Sequence, residues 1–284
     1  MEPCCAGAVS PRSAPVFRNE VSEPVALLRR SALFGSLSQT ALAHLAQTSR
    51  FRQYGRGEVL FLQGQTARCL SLVHTGCVKL SVTNPGGAEV IVGLRGPAQA
   101  VELNVDRASG VHGVSAEAVR PCRVLIWNQA FIEDLMERTP ELSGNIRGIL
   151  SRQLAELQER FSELSSDKVE FRVASMLARV AEQFGRPVKA GLEIAFSREE
   201  LAQMTGTTLF TVSRLLSKWK GSGLLVPRRE AVAIVSLQHF REVTSRDGSL
   251  APPRPLRRSP LSGTGLSGMP LPATTSVPHR LLAM

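Results

Sequence analysis

The chain has 284 residues, 43% of them hydrophobic and 20% charged, with 34 Lys and Arg against 24 Asp and Glu, a formal net charge of +10 and a pI near 10.2. This length and apolar fraction suit one or two globular domains whose cores need no disulfide staples, and the basic balance favours a polyanionic partner, nucleic acid or an anionic membrane surface. No run of ~18 apolar residues exists to span a membrane, residues 1–24 carry no secretory signal pattern, and five cysteines without paired spacing (Cys4, Cys5, Cys69, Cys77, Cys122) fit a reduced cytoplasmic compartment.

Residues 1–23, with Pro3, Pro11 and Pro15 among small polar residues, read as a disordered lead. Residues 24–50 show helical periodicity in Leu27 and Leu28, then Leu37, Leu42, Leu45 and Ala46, with Ser38 placed to cap the second piece. The period then changes. Short apolar runs recur at Val59-Leu60-Phe61-Leu62, Leu70-Ser71-Leu72-Val73, Val78-Lys79-Leu80-Ser81-Val82, Val90-Ile91-Val92 and Val124-Leu125-Ile126-Trp127. Turn signals separate them at Gly55 and Gly57, at Gly64, at Thr75-Gly76 and at Asn84-Pro85-Gly86-Gly87, which predicts an antiparallel barrel or sandwich.

Helix returns over 130–165. After Pro140 a stripe of Leu150, Leu154, Leu157, Phe161 and Leu164 advances in steps of 4, 3, 4 and 3, a heptad seam. Such a helix could lie on its own barrel; the narrow, continuous stripe favours a dimer seam. Ser165-Ser166-Asp167 breaks this helix, and Asp167 with Glu170 is expected to form a capping box for the next, which carries Phe171, Ala174, Leu177, Ala178, Ala181 and Phe184 and stops at Gly185-Arg186-Pro187.

Residues 192–235 are the most informative. A strand over 192–196 precedes Ser197-Arg198-Glu199-Glu200, an S-x-x-E capping box that opens a short helix through Met204. Thr205-Gly206-Thr207-Thr208 is a tight turn, and a second helix over 208–220 buries Val212, Leu215, Leu216 and Trp219. Gly221-Ser222-Gly223 ends it, and a hairpin follows around Pro227-Arg228-Arg229-Glu230. Helix, glycine turn, helix and hairpin make a winged helix-turn-helix. Thr207, Thr208, Thr211 and Ser213 sit near the start of the second helix, Arg214 and Lys218 share a face at i, i+4, and Arg228 and Arg229 lie on the hairpin. From Gly206 to Arg229 there are five basic residues and no acidic one, the footprint of a duplex-DNA surface.

Beyond Arg241 there is no Phe, Trp or Tyr, and seven of the 17 prolines lie there, so 246–284 is expected to be a disordered basic tail that touches phosphates nonspecifically. The tail carries five arginines against one aspartate, and residues 166–245 carry 12 basic and 8 acidic residues, so most of the net charge lies in this half of the chain.

The chain resembles the Crp/Fnr superfamily of bacterial transcription regulators over roughly 25–243. The resemblance rests on Leu33-Phe34 with Leu37-Ser38, on Tyr54-Gly55-Arg56-Gly57-Glu58-Val59-Leu60-Phe61 with Gly64, on Leu72-Val73-His74-Thr75-Gly76-Cys77-Val78-Lys79-Leu80, and on Thr211-Val212-Ser213-Arg214-Leu215-Leu216. It implies an α+β fold: an N-terminal double-stranded β-helix (jelly-roll-like) sensor barrel over 24–135, a dimerisation helix over 136–165 and a C-terminal winged helix-turn-helix over 166–245. It also implies a homodimer on a pseudo-palindromic duplex with half-sites roughly 34 Å apart. Within it, Arg214 matches the base-reading arginine, which suits a bidentate contact to guanine, and Ser213 matches the serine of the Fnr-like branch. Phe210 stands where many members carry a base-reading glutamate; it can meet a thymine methyl but cannot accept from cytosine, so the family's usual half-site is not carried over.

Family members that bind nucleotides use a Gly-Glu pair for the ribose and an Arg-Ser/Thr pair for the cyclic phosphate. The matching pairs here are Val101-Glu102 and His112-Gly113, so Glu102 and His112 remain as effector-binding candidates while the guanidinium fork is gone. This argues against the usual cyclic-nucleotide control. An iron–sulfur cluster needs about four cysteine ligands, which this spacing does not offer, and a haem would rest on His74 or His112 alone; the effector stays unknown. Nothing forms a nucleophile–base pair, a metal-ligand spacing or a phosphate loop, so no enzyme is expected. The expected function is a cytoplasmic, sequence-specific DNA-binding regulator with duplex DNA and a second copy of itself as partners, and no membrane partner; RNA polymerase joins them if the protein activates. The alternative is a ligand-sensing interaction module acting without specific DNA binding.

Overall fold

The computed structural model describes residues 22–103 and 110–244. The sequence-predicted lead (save its last two residues) and basic tail therefore lie outside the described residues. The chain starts with helices α1 (Ser22–Arg30) and α2 (Gln39–Thr48), the second capped by Ser38, whose Oγ accepts from the Ala41 amide at 3.2 Å. Leu28, Phe34, Leu42 and Leu45 are fully buried and pack with Trp127, whose indole N–H donates to the Leu45 carbonyl at 2.9 Å.

The sheet that follows comprises β1 (Arg50–Tyr54), β2 (Val59–Phe61), β3 (Cys69–Thr83), β4 (Glu89–Arg95) and β5 (Ser115–Asn128), every pairing antiparallel, in the order β1-β5-β3-β4 with β2 also on β5. Among the described strands the ladder does not close, so the expected barrel is an open antiparallel sheet built on two long strands. The predicted turn at Thr75-Gly76 is likewise absent. Those residues lie inside β3, which pairs with β5 from Cys69↔Asn128 to Ser81↔Ser115 through register slips around Thr75 and Cys77. Gly76 has φ +96°, and a Cβ there would stand 2.4 Å from the Cβ of Cys122 and 2.6 Å from the Pro121 carbonyl oxygen. What resembled a turn is a bulge that bends a continuous strand.

After the sheet come α3 (Gln129–Arg138), capped by the Asn128 side chain, and the 27-residue α4 (Pro140–Ser166), which has Pro140 in its first turn. Residues 136–138 thus end α3, and the long helix starts after Thr139. Leu142 and Ile146 at the start of α4 are buried against the α1–α2 core, with Leu150 partly buried beside them. α5 (Val169–Phe184) follows. The expected Asp167–Glu170 capping box does not form: Asp167 closes α4 through its own amide to the Glu163 carbonyl, the cap of α5 is Lys168 without a side-chain bond, and Glu170 falls one position short of the box.

The C-terminal part contains β6 (Arg186–Val188), β7 (Gly191–Ile194), α6 (Arg198–Thr205), α7 (Leu209–Gly221), β8 (Leu225–Arg228), β9 (Ala231–Ile234) and α8 (Leu237–Thr244), with sheet order β6-β7-β9-β8. Its core of Val173, Leu177, Phe196, Leu201, Val212, Trp219, Ile234 and Phe240 is continuous with Cys77 and Val119 of the first sheet. Polar contacts follow the same junction. Gln203 donates to Glu89 at 3.2 Å, Arg160 donates to the Val92 carbonyl at 2.8 Å, and Arg179 grips Glu163 with both terminal nitrogens.

Gly76→Ala should destabilise the protein by about 3 kcal/mol or more, because the side chain meets backbone at a left-handed φ. Gly57→Ala, where φ is +77° but nothing stands within 4 Å, should cost about 1 kcal/mol. Denaturant unfolding of the two variants measures the difference.

Candidate nucleic-acid interface and effector cleft

The helix-turn-helix is assembled by local chemistry. The Ser197 hydroxyl accepts from the Glu200 amide at 3.1 Å and the Glu200 carboxylate accepts from the Ser197 amide at 2.7 Å, the reciprocal box expected from the sequence. Gly206 ends α6 in the left-handed conformation (φ 60°, ψ 41°). Thr208 then caps α7, its hydroxyl accepting from the Thr211 amide at 3.2 Å. The inner face of α7, Val212, Leu215, Leu216 and Trp219, is buried.

The outer face carries the residues expected to meet DNA. Thr208, Phe210 and Arg214 are exposed; Thr207, Thr211 and Ser213 are half-buried. Arg214 forms no hydrogen bond or ion pair among the described residues, and neither does exposed Arg229 at the hairpin tip. Two other expected cations are held by carboxylates: Lys218 Nζ lies 2.8 Å from Glu170, and Arg228 Nη1 lies 3.1 Å from Glu193. Exposed pairs of this kind are worth about 0.2–1 kcal/mol, so an incoming phosphate can displace them. Glu230, at φ +54° in the hairpin turn, reaches across to Arg56 of the β1–β2 turn at 3.0 Å. Two features escaped the sequence reading: Leu209, 53% exposed beside Phe210, and the Arg56–Glu230 contact. The first was in view as the residue after the cap; the second needs the tertiary fold.

Glu102 and His112 do come together. His112 Nδ1 lies 2.6 Å from one Glu102 oxygen, and the Gly113 amide donates to the other at 3.0 Å. The His112 ring stacks on Phe61, centroids 3.6 Å apart and planes within 9°. Both groups border a cavity of about 30 Å³ between the sheet and the helices, with Phe34, Leu103, Ile132, Met136, Leu142 and Ile146 in its walls. That space holds about two water molecules.

The C-terminal residues 171–243 match the family model of the Crp-like helix-turn-helix domain, and residues 51–139 match that of the cyclic nucleotide-binding domain. Similar curated proteins include the CRP-like cAMP-activated global transcriptional regulator of Mycobacterium tuberculosis, 25% identical over 73% of this chain and 94% of that protein. Another is the transcriptional activator protein FnrA of Stutzerimonas stutzeri, 27% identical over 66% of this chain and 77% of that protein. Among solved structures, FixK2 from Bradyrhizobium japonicum shares the fold at a TM-score of 0.60, with 20% identity over 68% of this chain and 96% of that one.

The chain belongs to the Crp/Fnr superfamily of transcription regulators.

As a Crp/Fnr protein it departs from its family at the nucleotide site. Both Glu102 oxygens are engaged within the chain, one by His112 Nδ1 and the other by the Gly113 amide. The residues present therefore do not fit a cyclic nucleotide in the usual way. His74, the other haem candidate, is not at this cavity. It is buried with Nε2 3.0 Å from Glu23 and its ring edge on Phe51, and burial, partly countered by Glu23, lowers its pKa. Cys69 lies on the cavity wall, whereas burial pushes the thiol of Cys77 up to about 12 and that of Cys122 up to about 11. Cys4 and Cys5 lie outside the described residues.

Because a thiol reacts as its thiolate, Cys77 and Cys122 should resist iodoacetamide in the native protein at pH 7.5 and become alkylated only in denaturant. Peptide mass mapping of both samples reads the result; rapid native labelling of either would reopen them as redox sensors.

Proposed function

We propose that the chain works as a homodimer that reads a pseudo-palindromic duplex with α7, in the cytoplasm, and as a regulator rather than an enzyme. The observation that carries this reading is the outer face of α7: an unpaired Arg214 one turn beyond a Thr208-capped helix start, flanked by small hydroxyl side chains, in a stretch from Gly206 to Arg229 that contributes no acidic residue of its own. A capped helix N-terminus with a free guanidinium beside it suits phosphate contact and bidentate reading of guanine together.

The dimer rests on α4. Leu154, Leu157, Phe161 and Leu164 are 48–73% exposed and follow the heptad spacing, a patch that water alone would leave unfavourable. Leu142 and Ile146 of the same helix wall the cavity beside Glu102 and His112, so an occupant there would press on the helix that forms the seam. This supports control by a small effector acting through two arrangements of α4. The geometry does not favour a cyclic nucleotide as that effector. Contact with RNA polymerase would follow from activation; no surface is assigned to it.

Arg214→Ala should weaken binding to the selected operator by about 1–3 kcal/mol and relax preference at one base pair of each half-site. Titration against single-base variants of the operator measures both effects, and unchanged affinity would remove α7 from base reading. Leu157→Glu combined with Phe161→Glu should convert a dimer into a folded monomer in sedimentation velocity, since neither side chain supports the core of one chain.

A further inference from the structure

Every other Phe or Trp side chain in the described C-terminal part, Phe171, Phe184, Phe196, Trp219 and Phe240, is buried or half-buried. Phe210 is 76% exposed and its neighbour Leu209 is 53% exposed, and both stand in the first turn of α7. Two large apolar side chains held in water beside a basic surface have no role in this core. Position says what would cover them. They sit directly after the Thr208 cap, and Phe210 lies four residues before Arg214, so the ring and the guanidinium share one face of the helix. Arg214 is the basic residue nearest along the helix, and the sequence from Gly206 to Arg229 holds five basic residues and no acidic one. That setting fits a polyanion with apolar spots on its edge rather than an apolar protein groove. The major groove has one apolar spot, the C5-methyl of thymine.

We infer that Leu209 and Phe210 form an apolar reader of thymine methyl groups. The inference rests on the reading of α7 as the recognition helix. Four residues of helix rise about 6 Å, and duplex base pairs are spaced 3.4 Å apart, so the thymine met by Phe210 lies within about two base pairs of the guanine met by Arg214. The specificity is for a methyl at pyrimidine C5, not for a donor or acceptor. Thymine and 5-methylcytosine should both satisfy it at that edge, and uracil should not.

The test uses the full-length protein and the tightest duplex recovered from a randomised library. Each thymine of a half-site is replaced singly by deoxyuridine, which removes only the methyl. For wild type, one or two positions next to the Arg214 guanine should lose about fourfold in affinity each, the worth of one buried methyl. Phe210→Ala should bind thymine and uracil duplexes alike at one of these positions, and Leu209→Ala at the other where there are two, while both variants keep the guanine preference and the wild-type melting temperature. Equal binding of thymine and uracil duplexes by wild type, with Arg214→Ala still losing guanine preference, overturns the methyl reader and leaves the recognition helix in place. A uracil penalty that persists in both alanine variants overturns it as well, because another residue then reads the methyl. If no sequence is enriched from the library, the recognition-helix reading fails and the inference falls with it.

Discussion

The pairing of β3 with β5 is the contact on which the rest of the molecule is hung. β5 carries β1 and β2 on its free side, β3 carries β4 on its own, and β5 runs directly into α3 and so to α4. The two strands are long enough to serve both ends only because they bend together, and the bend passes through a point where no side chain fits. Gly76 lies against the backbone at Pro121 and Cys122, and the strand continues to Cys77, whose side chain joins the core of the winged helix. A single close approach therefore shapes the sheet that walls the cavity beside Glu102 and His112 and sets the surface on which the winged helix is seated.

The two halves of the molecule are held by different physics. The helix-turn-helix is made by neighbours in sequence: a reciprocal serine–glutamate cap, one left-handed glycine and a threonine cap. The junction between the halves is made by partners far apart, such as Gln203 with Glu89 and Arg160 with the Val92 carbonyl, around a shared apolar core. Local devices persist when the junction moves, whereas the junction contacts depend on one arrangement of the parts.

The same division explains what could be read from the sequence. Ser197, Glu200, Gly206 and Thr208 announced α6, the turn and α7 because caps and glycine turns are written in adjacent residues. The exposed apolar stripe of α4 was legible because a heptad repeat is a local period. β1 was not, since Arg50-Phe51-Arg52-Gln53-Tyr54 is a mostly exposed edge strand with little apolar signal. The first half of β5 was hidden by Pro121, which sits where the register slips between Cys77↔Arg120 and Thr75↔Arg123, a place where a strand tolerates proline. Glu170 was read as a cap and instead holds Lys218, because α5 is capped by Lys168 and Glu170 falls one position short of the box. Glu102 and His112 were singled out from the sequence, but that they bind each other was visible only once the fold joined them.

The ion pairs of the reading surface bear on how its affinity would respond to salt. When DNA neutralises phosphates with protein cations, the ions released set the slope of log affinity against log salt. Here Lys218 and Arg228 already have carboxylate partners, and the Arg56–Glu230 pair ties the hairpin tip to the first sheet. Binding that frees Glu170, Glu193 or Glu230 leaves a bare carboxylate that gathers cations back from solution. The counterion balance then includes ions taken up as well as ions given off, and the slope understates the number of phosphates touched. For this protein, a modest salt dependence is compatible with an extensive phosphate interface.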